Sequence, residues 1–388
     1  MSRLPGDGES VSAALIGFAF SEREYARRRE ASLGIAAASG SDVLLSFGEN
    51  RSGLGVTYLT GWPVSRFAAH RLTATESRLW VQFHNHVPQA RRIATDTEVR
   101  DVDAAFLDDL LSGADVVATL GVVPRQVAAA AEARGVHLVA IDREHALLRG
   151  VKSDEELEAL RLGARASDIG AAALIDACVV GASDWDLLAA ARHAYTRAGA
   201  RDHICYISVT DMANPDRDVP SQSPEGRVLA AGTCVTFELS ASVAPEYPGQ
   251  VLRTVTLGEP TEQYARLHET AETARSAVRE RVAAGVAASS LVAASAVIED
   301  AGFTTTDDLF HGLGMGYLEP IGTSRSRVPA HAPRGDLRAG MAIVVQPNVT
   351  STDHRAGVQT GEMVVVTDTG FEDIHHLEQG LLIRTGAR

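Results

Sequence analysis

The sequence predicts an α/β protein with two domains. Its 388 residues are too many for one ordinary hydrophobic core, so two cores are expected. Short β-like runs alternate with helical patterns in roughly the first 150 residues, which is typical of an α/β domain with a mixed or parallel sheet. A helix-start signal then opens a second region, in which long helices alternate with β-rich stretches. We therefore expect domains at residues 1–151 and 152–388.

The first region begins with an amphipathic pattern rich in Glu, Arg and Ala, which predicts a helix over residues 21–38. Helical patterns recur around residues 104–111 and 126–134. Runs rich in β-branched and aromatic residues lie around them and predict strands. These runs are Val43–Phe47, Val56–Thr60, Leu79–Phe83, Val116–Val123 and Leu138–Ile141.

The second region begins at a boundary near Val151, Lys152 and Ser153. Ser153 and Glu156 match the S-x-x-E capping box, which predicts a long helix from Ser153 to about Cys178. Further helices and β-rich stretches are expected toward the C-terminus. The predicted helices span residues 183–199, 260–284 and 288–301, and the β-rich stretches span residues 203–258 and 305–386.

Composition excludes several classes of function. The formal net charge is −14 and the basic residues form no dense tract, so a nucleic-acid partner is not expected. No apolar run is long enough to span a membrane, and the Met1–Gly6 segment lacks the apolar core of a signal peptide. The three cysteines are widely spaced, which predicts reduced core residues in a cytoplasmic protein.

Two segments of the second region resemble the active-site strands of a known family. One joins Phe237–Ser240 with Arg253–Pro260, and the other is His311–Gly316. Both resemble the pita-bread family of methionine and Xaa-Pro aminopeptidases, prolidase, creatinase and ectoine hydrolase. Tyr58–Trp62 and Val151–Ser153 are similar to the N-terminal domain and the linker of that family. The resemblance implies a creatinase-like N-terminal domain, a pita-bread domain with a curved antiparallel sheet covered by helices, and a homodimer.

The resemblance also implies that the family's peptidases hold two divalent metals on these strands. Most of their metal ligands are replaced in this sequence, because the matching positions hold Glu238, Gln250, His311, Gln346 and Gly361. Leu318 and Ser221 stand where the peptidases have a substrate-binding and an upstream catalytic histidine. Two adjacent divalent metals need several anionic oxygen ligands. We therefore expect no metal and no other cofactor.

The loss of the metal ligands makes the creatinase and ectoine hydrolase branch the most similar in pattern, and Phe237–Ala241 resembles the matching run of ectoine hydrolase. The resulting prediction is a metal-independent enzyme that hydrolyses an amide- or amidine-type C–N bond of a small polar metabolite. Three alternatives stay open. They are a divalent-metal-dependent Xaa-Pro peptidase, a non-hydrolytic lyase or isomerase, and a non-catalytic ligand-binding protein.

Three residues are predicted to be catalytic. His311 would move protons, and Glu238 would bind and polarise a cationic group. Glu362 would assist if a bulge turned its side chain toward the pocket, because a one-residue shift on a strand reverses the side chain.

Seven further residues are predicted to bind the substrate: Gln250, Arg253, Gln346, Glu319, Trp62, Arg66 and Phe67. The last three follow from the resemblance to creatinase-like dimers, in which this region reaches the partner's pocket. Structural interpretations stay open for several of them. Arg253 is equally explained as an ion-pair partner of Glu238. Gln250 and Gln346 are equally explained as neutral side chains that fill a former metal site.

Overall fold

The computed structural model describes residues 15–244, 246–327 and 332–385. The Met1–Gly6 segment, predicted to lack a signal-peptide core, lies outside these residues. The chain divides into two compact units. One is Ala19–Arg149, and the other is Gly150–Arg388 together with the segment that ends at Phe18. No helix within the described residues is both long and apolar enough to cross a membrane.

The N-terminal unit contains one mixed sheet of six strands in the order β4-β3-β2-β1-β5-β6. Strands β1, β2 and β3 pair antiparallel, whereas β1 with β5, β5 with β6 and β3 with β4 pair parallel. In chain order its elements are α1 Glu22–Ala38, β1 Leu44–Gly48, α2 Leu54–Thr60, β2 Ala68–Leu72, β3 Ser77–Val81, a 3₁₀ turn His84–His86, α3 Val87–Ile93, β4 Glu98–Asp101, α4 Phe106–Leu111, β5 Val116–Leu120, α5 Arg125–Arg134, β6 His137–Ala140 and α6 Asp142–Gly150.

Successive residues of this sheet enter opposite cores, because side chains alternate along a strand. On β3, Leu79 packs with Val56 of α2, whereas the next residue, Trp80, packs with Phe106 of α4. Helices therefore cover both faces of the sheet. This arrangement confirms the predicted α/β class of the unit.

The strand predicted over Val56–Thr60 is wrong, since these residues form most of helix α2. Gly53 precedes the helix with φ 115° and Gly61 follows it with φ 75°. Glycine adopts such left-handed conformations without a steric penalty, so both ends of the short helix are fixed by the backbone. Tertiary packing of Val56 and Tyr58 outweighs their preference for strands.

In its described residues, the C-terminal unit is built on a sheet of nine strands whose main path is β11-β10-β12-β15-β9-β8-β7. Strand β16 pairs with β15, and β17 pairs with β9 in the one parallel pairing among its described strands. The elements are α7 Asp154–Ala177, α8 Asp184–Arg197, β7 Arg201–Asp211, β8 Thr233–Ser242, β9 Pro248–Leu257, α9 Glu262–Arg279, α10 Ala288–Ala294, α11 Val297–Asp300, β10 Phe310–Gly314, β11 Gly316–Gly322, β12 Ala342–Val345, β13 Asn348–Thr350, β14 Gly357–Gln359, β15 Gly361–Val366, β16 Phe371–Asp373 and β17 Leu382–Arg384.

Helix α7 begins at the predicted capping box. The Ser153 hydroxyl accepts a hydrogen bond from the Glu156 backbone N–H, and the Glu156 carboxylate accepts one from the Ser153 backbone N–H. Both bonds satisfy backbone donors that have no partner inside the helix. The predicted start of the long helix at Ser153 is confirmed.

Among the residues that the structure describes, two apolar cores pack against the large sheet. Phe237 and Leu239 of β8 pack with Leu174 of α7 and Leu187 of α8. In the other core, Tyr264 and Leu267 of α9 pack with residues of β10, β12 and β15. The expected pita-bread architecture, a curved antiparallel half-barrel sheet covered by helices, is confirmed.

Helix α7 crosses the β8–β9 hairpin at very short range. A side chain on Gly249 would place its Cβ 2.2 Å from the backbone N of Ala164, so only glycine fits there. The Ser167 hydroxyl donates to the Gly249 carbonyl at 2.5 Å and accepts from the Ala241 backbone N–H at 2.7 Å. This contact fixes the end of the hairpin that carries Gln250.

Candidate active site

A cavity of about 430 Å³ lies on one face of the large sheet. Polar side chains of β8 and β9 line this face, which is opposite the apolar core that packs against α7 and α8. Alternation along β8 explains this polarity, because Phe237 and Leu239 enter the core while Glu238 points the other way. The cavity is lined by His203, Ile204, Tyr206, Val219, Pro220, Gln222, Glu238, Gln250, Thr306, Asp307, His311, Leu313, Gly316, Tyr317 and Gln346.

Two glutamines and a glutamate form a continuous hydrogen-bonded bridge in the wall of this cavity. Gln250 Nε2 donates to Glu238 Oε1 at 2.7 Å and to Gln346 Oε1 at 2.8 Å. The three side chains come from β8, β9 and the residue after β12, and all are buried. The structure thus brings together three predicted site residues.

His311, the fourth predicted residue of this group, lies on β10 and is 1% exposed. Its Nδ1–H donates to the Gly312 carbonyl at 3.0 Å, which leaves Nε2 as the acceptor in the neutral ring. The Tyr317 ring stacks on the imidazole with 3.9 Å between ring centroids. Burial lowers the pKa of His311 to about 4. The ring is therefore neutral at pH 7, and its Nε2 carries a lone pair that can accept a hydrogen bond.

Glu238 faces a second carboxyl group, that of the half-buried Asp307, in the turn before β10. Burial first, and then the charge of Asp307, raises the pKa of Glu238 to about 8. Burial likewise raises the pKa of Asp307. Gln359 Nε2 donates to Asp307 Oδ2 at 3.3 Å, and hydrogen bonding to Gln359 partly offsets the rise at Glu238.

The donor set does not fit the pair of divalent metals that the family resemblance implies. Glu238 and His311 are the two anionic or imidazole ligands left at the expected positions, and the Glu238 Oε1 atom is engaged by Gln250. Gly361 provides no ligand and has no room for one, because a Cβ there would lie 2.0 Å from the Val345 carbonyl. Within residues 15–244, 246–327 and 332–385, no group of three or more His, Cys, Asp or Glu residues is placed to hold a metal ion.

Glu362 and Arg253 lie apart from the cavity, in a buried ion-pair network. Arg253 donates to Glu362 Oε2 at 2.7 Å, and Arg275 and Arg279 donate to the other oxygen of the same carboxylate. The register of β12 with β15 is continuous over four pairs, so no bulge turns Glu362 toward Glu238. Arg253 pairs across the strands with Phe237, on the opposite face from Glu238, and it forms an ion pair with Glu362.

The remaining predicted substrate-binding residues are also outside the cavity lining. Glu319 is exposed and accepts from the Ile321 backbone N–H. Trp62 is buried in a core of the N-terminal unit. Arg66, at the surface of the same unit, donates a hydrogen bond to Asn50. Phe67 packs edge-on against Phe106 in the same unit. That these three residues cover a partner's pocket stays a prediction.

Ser221 and Leu318 occupy the two positions at which the family's peptidases have a histidine, and both make other contacts in this structure. Ser221 donates to Glu225 at 3.0 Å and is not part of the lining, whereas its neighbours Pro220 and Gln222 are. Leu318 is buried beside the Gly312 backbone. Sequence reasoning missed Asp307, Tyr317 and Gln359. For Asp307 the sequence did offer a signal, because two adjacent aspartates, Asp307 and Asp308, come shortly before a buried strand.

Comparisons with known proteins agree on one family. The model of metallopeptidase family M24 matches residues 158–368. The probable dipeptidase PepE of Mycobacterium tuberculosis (strain H37Rv) is 26% identical over 239 residues, which are 61% of this chain and 61% of that protein. The match thus covers about three-fifths of the length of this curated relative.

Solved structures share the fold across nearly the whole chain. The X-Pro aminopeptidase of Thermotoga maritima MSB8 superposes with a TM-score of 0.79 at 20% identity, over 92% of this chain and 99% of that chain. Dipeptidase PepE of Mycobacterium ulcerans gives a TM-score of 0.77 at 23% identity, over 94% and 99%. Since the family model matches more than half of the sequence, the chain belongs to metallopeptidase family M24.

Proposed function

We propose that this chain hydrolyses the peptide bond of short peptides at the cavity around Glu238, Asp307 and His311. The observation that carries the proposal is the cavity itself, in which a neutral buried imidazole, a buried carboxyl group and a half-buried carboxyl group face about 430 Å³ of space. Membership of family M24 and the dipeptidase and X-Pro aminopeptidase names of its relatives support a peptide as the substrate.

This proposal corrects the prediction of a non-peptide amide or amidine hydrolase. The relatives are named dipeptidases and Xaa-Pro peptidases, which contradicts that prediction and favours the alternative of a divalent-metal-dependent Xaa-Pro peptidase. We propose only the peptidase part of that alternative, because the side chains present do not fit two metals. The narrower likeness to creatinase and ectoine hydrolase, the homodimer and the cytoplasmic location stay predictions.

The chain's own side chains would perform the chemistry, because the residues at the expected metal-ligand positions do not fit two metals. His311 Nε2 accepts a proton from a water molecule, whose oxygen then attacks the carbonyl carbon of the peptide bond. The same imidazole returns that proton to the amide nitrogen as the C–N bond breaks. The products are a carboxylic acid and an amine, and His311 ends neutral as it began. We expect this activity to persist in EDTA.

The glutamine bridge favours a second candidate, binding of a short peptide without hydrolysis. Gln250, Gln346 and Ser221 stand where the peptidases of the family have reactive side chains, and amides offer hydrogen bonds but no proton transfer. The cavity would then hold the peptide as a ligand.

A panel of dipeptides with and without proline separates the two candidates. The full-length protein is incubated with each peptide in buffer with and without EDTA, and released amino acids are measured by chromatography. Release from one class of dipeptide, unchanged by EDTA, supports the proposed hydrolysis. Binding by calorimetry without release supports the second candidate. Activity that appears only with added Mn²⁺ or Co²⁺ contradicts the mechanism through His311 alone.

A further inference from the structure

A separate cavity of about 860 Å³ lies within the N-terminal unit, along one edge of its mixed sheet. Strands β1 and β5 are parallel neighbours, so their carboxyl ends meet at the same edge of that sheet. Gly48 at the end of β1 and Gly121 directly after β5 both line the cavity. Its volume is within the range of roughly 300–1,000 Å³ that small-molecule sites have.

The chain turns to opposite sides after these two strands. In the sheet β2 lies on one side of β1, whereas β5 and β6 lie on the other. The helices that follow β1 and β5 also cover opposite faces, because Val56 of α2 lies in the core that contains Leu79, and Val127 of α5 in the core that contains Trp80. The cavity therefore lies at a topological switch point, which is where open α/β sheets bind their ligands.

The start of α5 provides unused hydrogen-bond donors in the wall of this cavity. Pro124, Arg125 and Gln126 line the cavity, and Pro124, the N-cap residue, gives the helix no side-chain hydrogen bond. Among the described residues no group accepts from the backbone N–H of Arg125 or Gln126, and the Arg125 guanidinium has no hydrogen-bond or ion-pair partner. Free N–H groups at a helix start bind anions, and a guanidinium beside them strengthens the attraction.

A buried histidine of α6 adds an unused acceptor to the same cavity. His145 is 1% exposed and belongs to the lining. The Ser32 hydroxyl donates its one proton to the Arg28 carbonyl at 2.7 Å, so His145 Nε2, 3.2 Å from that hydroxyl, is the donor of the second bond. Burial, and then the charge of Arg149, lowers the pKa of His145 to about 3, which keeps the ring neutral. Its Nδ1 is therefore an acceptor, without a partner among the described residues.

We propose that this cavity binds a nucleoside monophosphate, with the phosphate at the start of α5 and the nucleoside toward His145. A phosphate monoester has three terminal oxygens and close to two negative charges, which match the Arg125 guanidinium and the two free N–H groups. The hydroxyl and amino groups of a nucleoside are the donors that the Nδ1 acceptor lacks. The site lies wholly within the N-terminal unit, and the proposal does not depend on peptide hydrolysis in the other unit.

The rest of the lining suits the sugar and the base of such a ligand. Glu49 and Asp142 provide carboxylate oxygens that accept from ribose hydroxyls, and Asp142 is fixed at this edge because its Oδ1 accepts from the Gly121 N–H at 2.8 Å. Phe67 and Val122 provide apolar surface for a flat base, and Val122 is 89% exposed. A bare phosphate ion would use the start of α5 and leave these groups without contacts.

The test uses three probes: AMP, adenosine, which lacks the phosphate, and inorganic phosphate, which lacks the nucleoside. Binding of each to the full-length protein is measured by calorimetry. The proteins are the wild type, Arg125→Gln, Gln126→Glu, His145→Phe and, as a matched control, Arg143→Gln. Arg125 and Gln126 are exposed, so their variants should fold, and melting temperatures check this for every protein. Arg143 lies on α6 outside the lining, with a side chain that is 78% exposed.

We expect the wild type and Arg143→Gln to bind AMP about tenfold or more tightly than either adenosine or inorganic phosphate. Arg125→Gln removes the guanidinium, and Gln126→Glu places a negative charge beside the free N–H groups. Each should therefore weaken AMP binding to the level of adenosine. A folded His145→Phe protein loses the acceptor, so its binding of AMP should fall while its binding of inorganic phosphate stays unchanged.

Three results would overturn the inference. One is the absence of AMP binding to the folded wild type at millimolar concentration. Another is equal affinity of the wild type for AMP and for adenosine or inorganic phosphate. The third is AMP binding that Arg125→Gln and Gln126→Glu both leave intact, since the phosphate would then lie elsewhere.

Discussion

Gln250 Nε2 lies 2.7 Å from Glu238 Oε1, and the amide donates its second hydrogen to Gln346 at 2.8 Å. One buried side chain therefore satisfies two buried acceptors, one on β8 and one directly after β12. A buried acceptor that loses its donor costs roughly 1–3 kcal/mol. The bridge therefore links β8, β9 and the end of β12, and it also forms part of the cavity wall.

Replacement of this amide should destabilise the fold. Gln250→Leu leaves Glu238 and Gln346 without their shared donor, so we expect the free energy of unfolding to fall by roughly 2 kcal/mol or more. Urea denaturation measures the change. Gln263→Leu, at an exposed position on α9, is the control and should change stability by no more than about 0.5 kcal/mol. Equal losses in both variants would show that the bridge contributes nothing specific.

The raised pKa of Glu238 gives stability a definite pH dependence. Its pKa rises from an ordinary 4.5 to about 8, so the folded protein keeps a proton that the unfolded chain has lost. Stability should therefore fall as pH rises through that window, by at most about 1.4 kcal/mol for each pH unit. His311 acts in the opposite sense between its folded pKa of about 4 and its ordinary 6.5, where stability rises with pH.

Above pH 6.5 the contribution of Glu238 is no longer opposed by His311. We expect the wild type to lose roughly 2 kcal/mol relative to Glu238→Gln between pH 6.5 and 8. Thermal and urea denaturation of both proteins across this range give the difference. A constant difference would mean that Glu238 ionises normally in the folded protein.

The buried ion-pair network around Glu362 should stabilise the fold. Glu362→Gln leaves Arg253, Arg275 and Arg279 without their shared carboxylate, and an uncompensated buried charge costs about 3–5 kcal/mol. Asp373→Asn is a matched control, because Asp373 contacts Arg279 with a side chain that is 53% exposed. We expect a severe loss of melting temperature for the first variant and a small one for the second. Similar melting temperatures would contradict the structural role.

Gly361 should not accept the glutamate that the family's peptidases have at this position. Its φ of 147° and the 2.0 Å approach of a Cβ to the Val345 carbonyl exclude any side chain. We expect Gly361→Glu to fold poorly or to lose more than about 4 kcal/mol of stability. Gly370→Ala has no atom within 4 Å of the new Cβ and should cost about 1 kcal/mol or less. A stable Gly361→Glu protein would show that the backbone here is free to rearrange.

Much of the fold could be predicted from local signals. The capping box of Ser153 and Glu156 marks the start of α7 because it depends on residues three apart. The Val56–Thr60 helix could not be predicted from composition, since its β-branched and aromatic residues favour strands and its ends depend on the left-handed Gly53 and Gly61.

The site was predictable where the residues lie on paired strands, and less so elsewhere. Glu238 and Gln250 lie on one face of the hairpin they share, because Glu238 is two residues from Ser240, the cross-strand partner of Gln250. Arg253 is an odd number of residues from Gln250, so strand alternation alone directs it to the opposite face. Asp307 lies in a turn, and its distance to Glu238 depends on how distant strands pair, which no local pattern reveals.

The most direct test of the central claim is the rate of hydrolysis of a short peptide by wild type, His311→Ala and His193→Ala, each in EDTA. His193 is exposed on α8 and serves as the matched histidine control. Loss of a general base slows turnover by about a hundredfold or more. We predict that the wild type and His193→Ala release amino acids at the same rate, and that His311→Ala is slower by that factor while it remains folded. Equal rates in all three proteins would contradict the assignment of catalysis to this cavity.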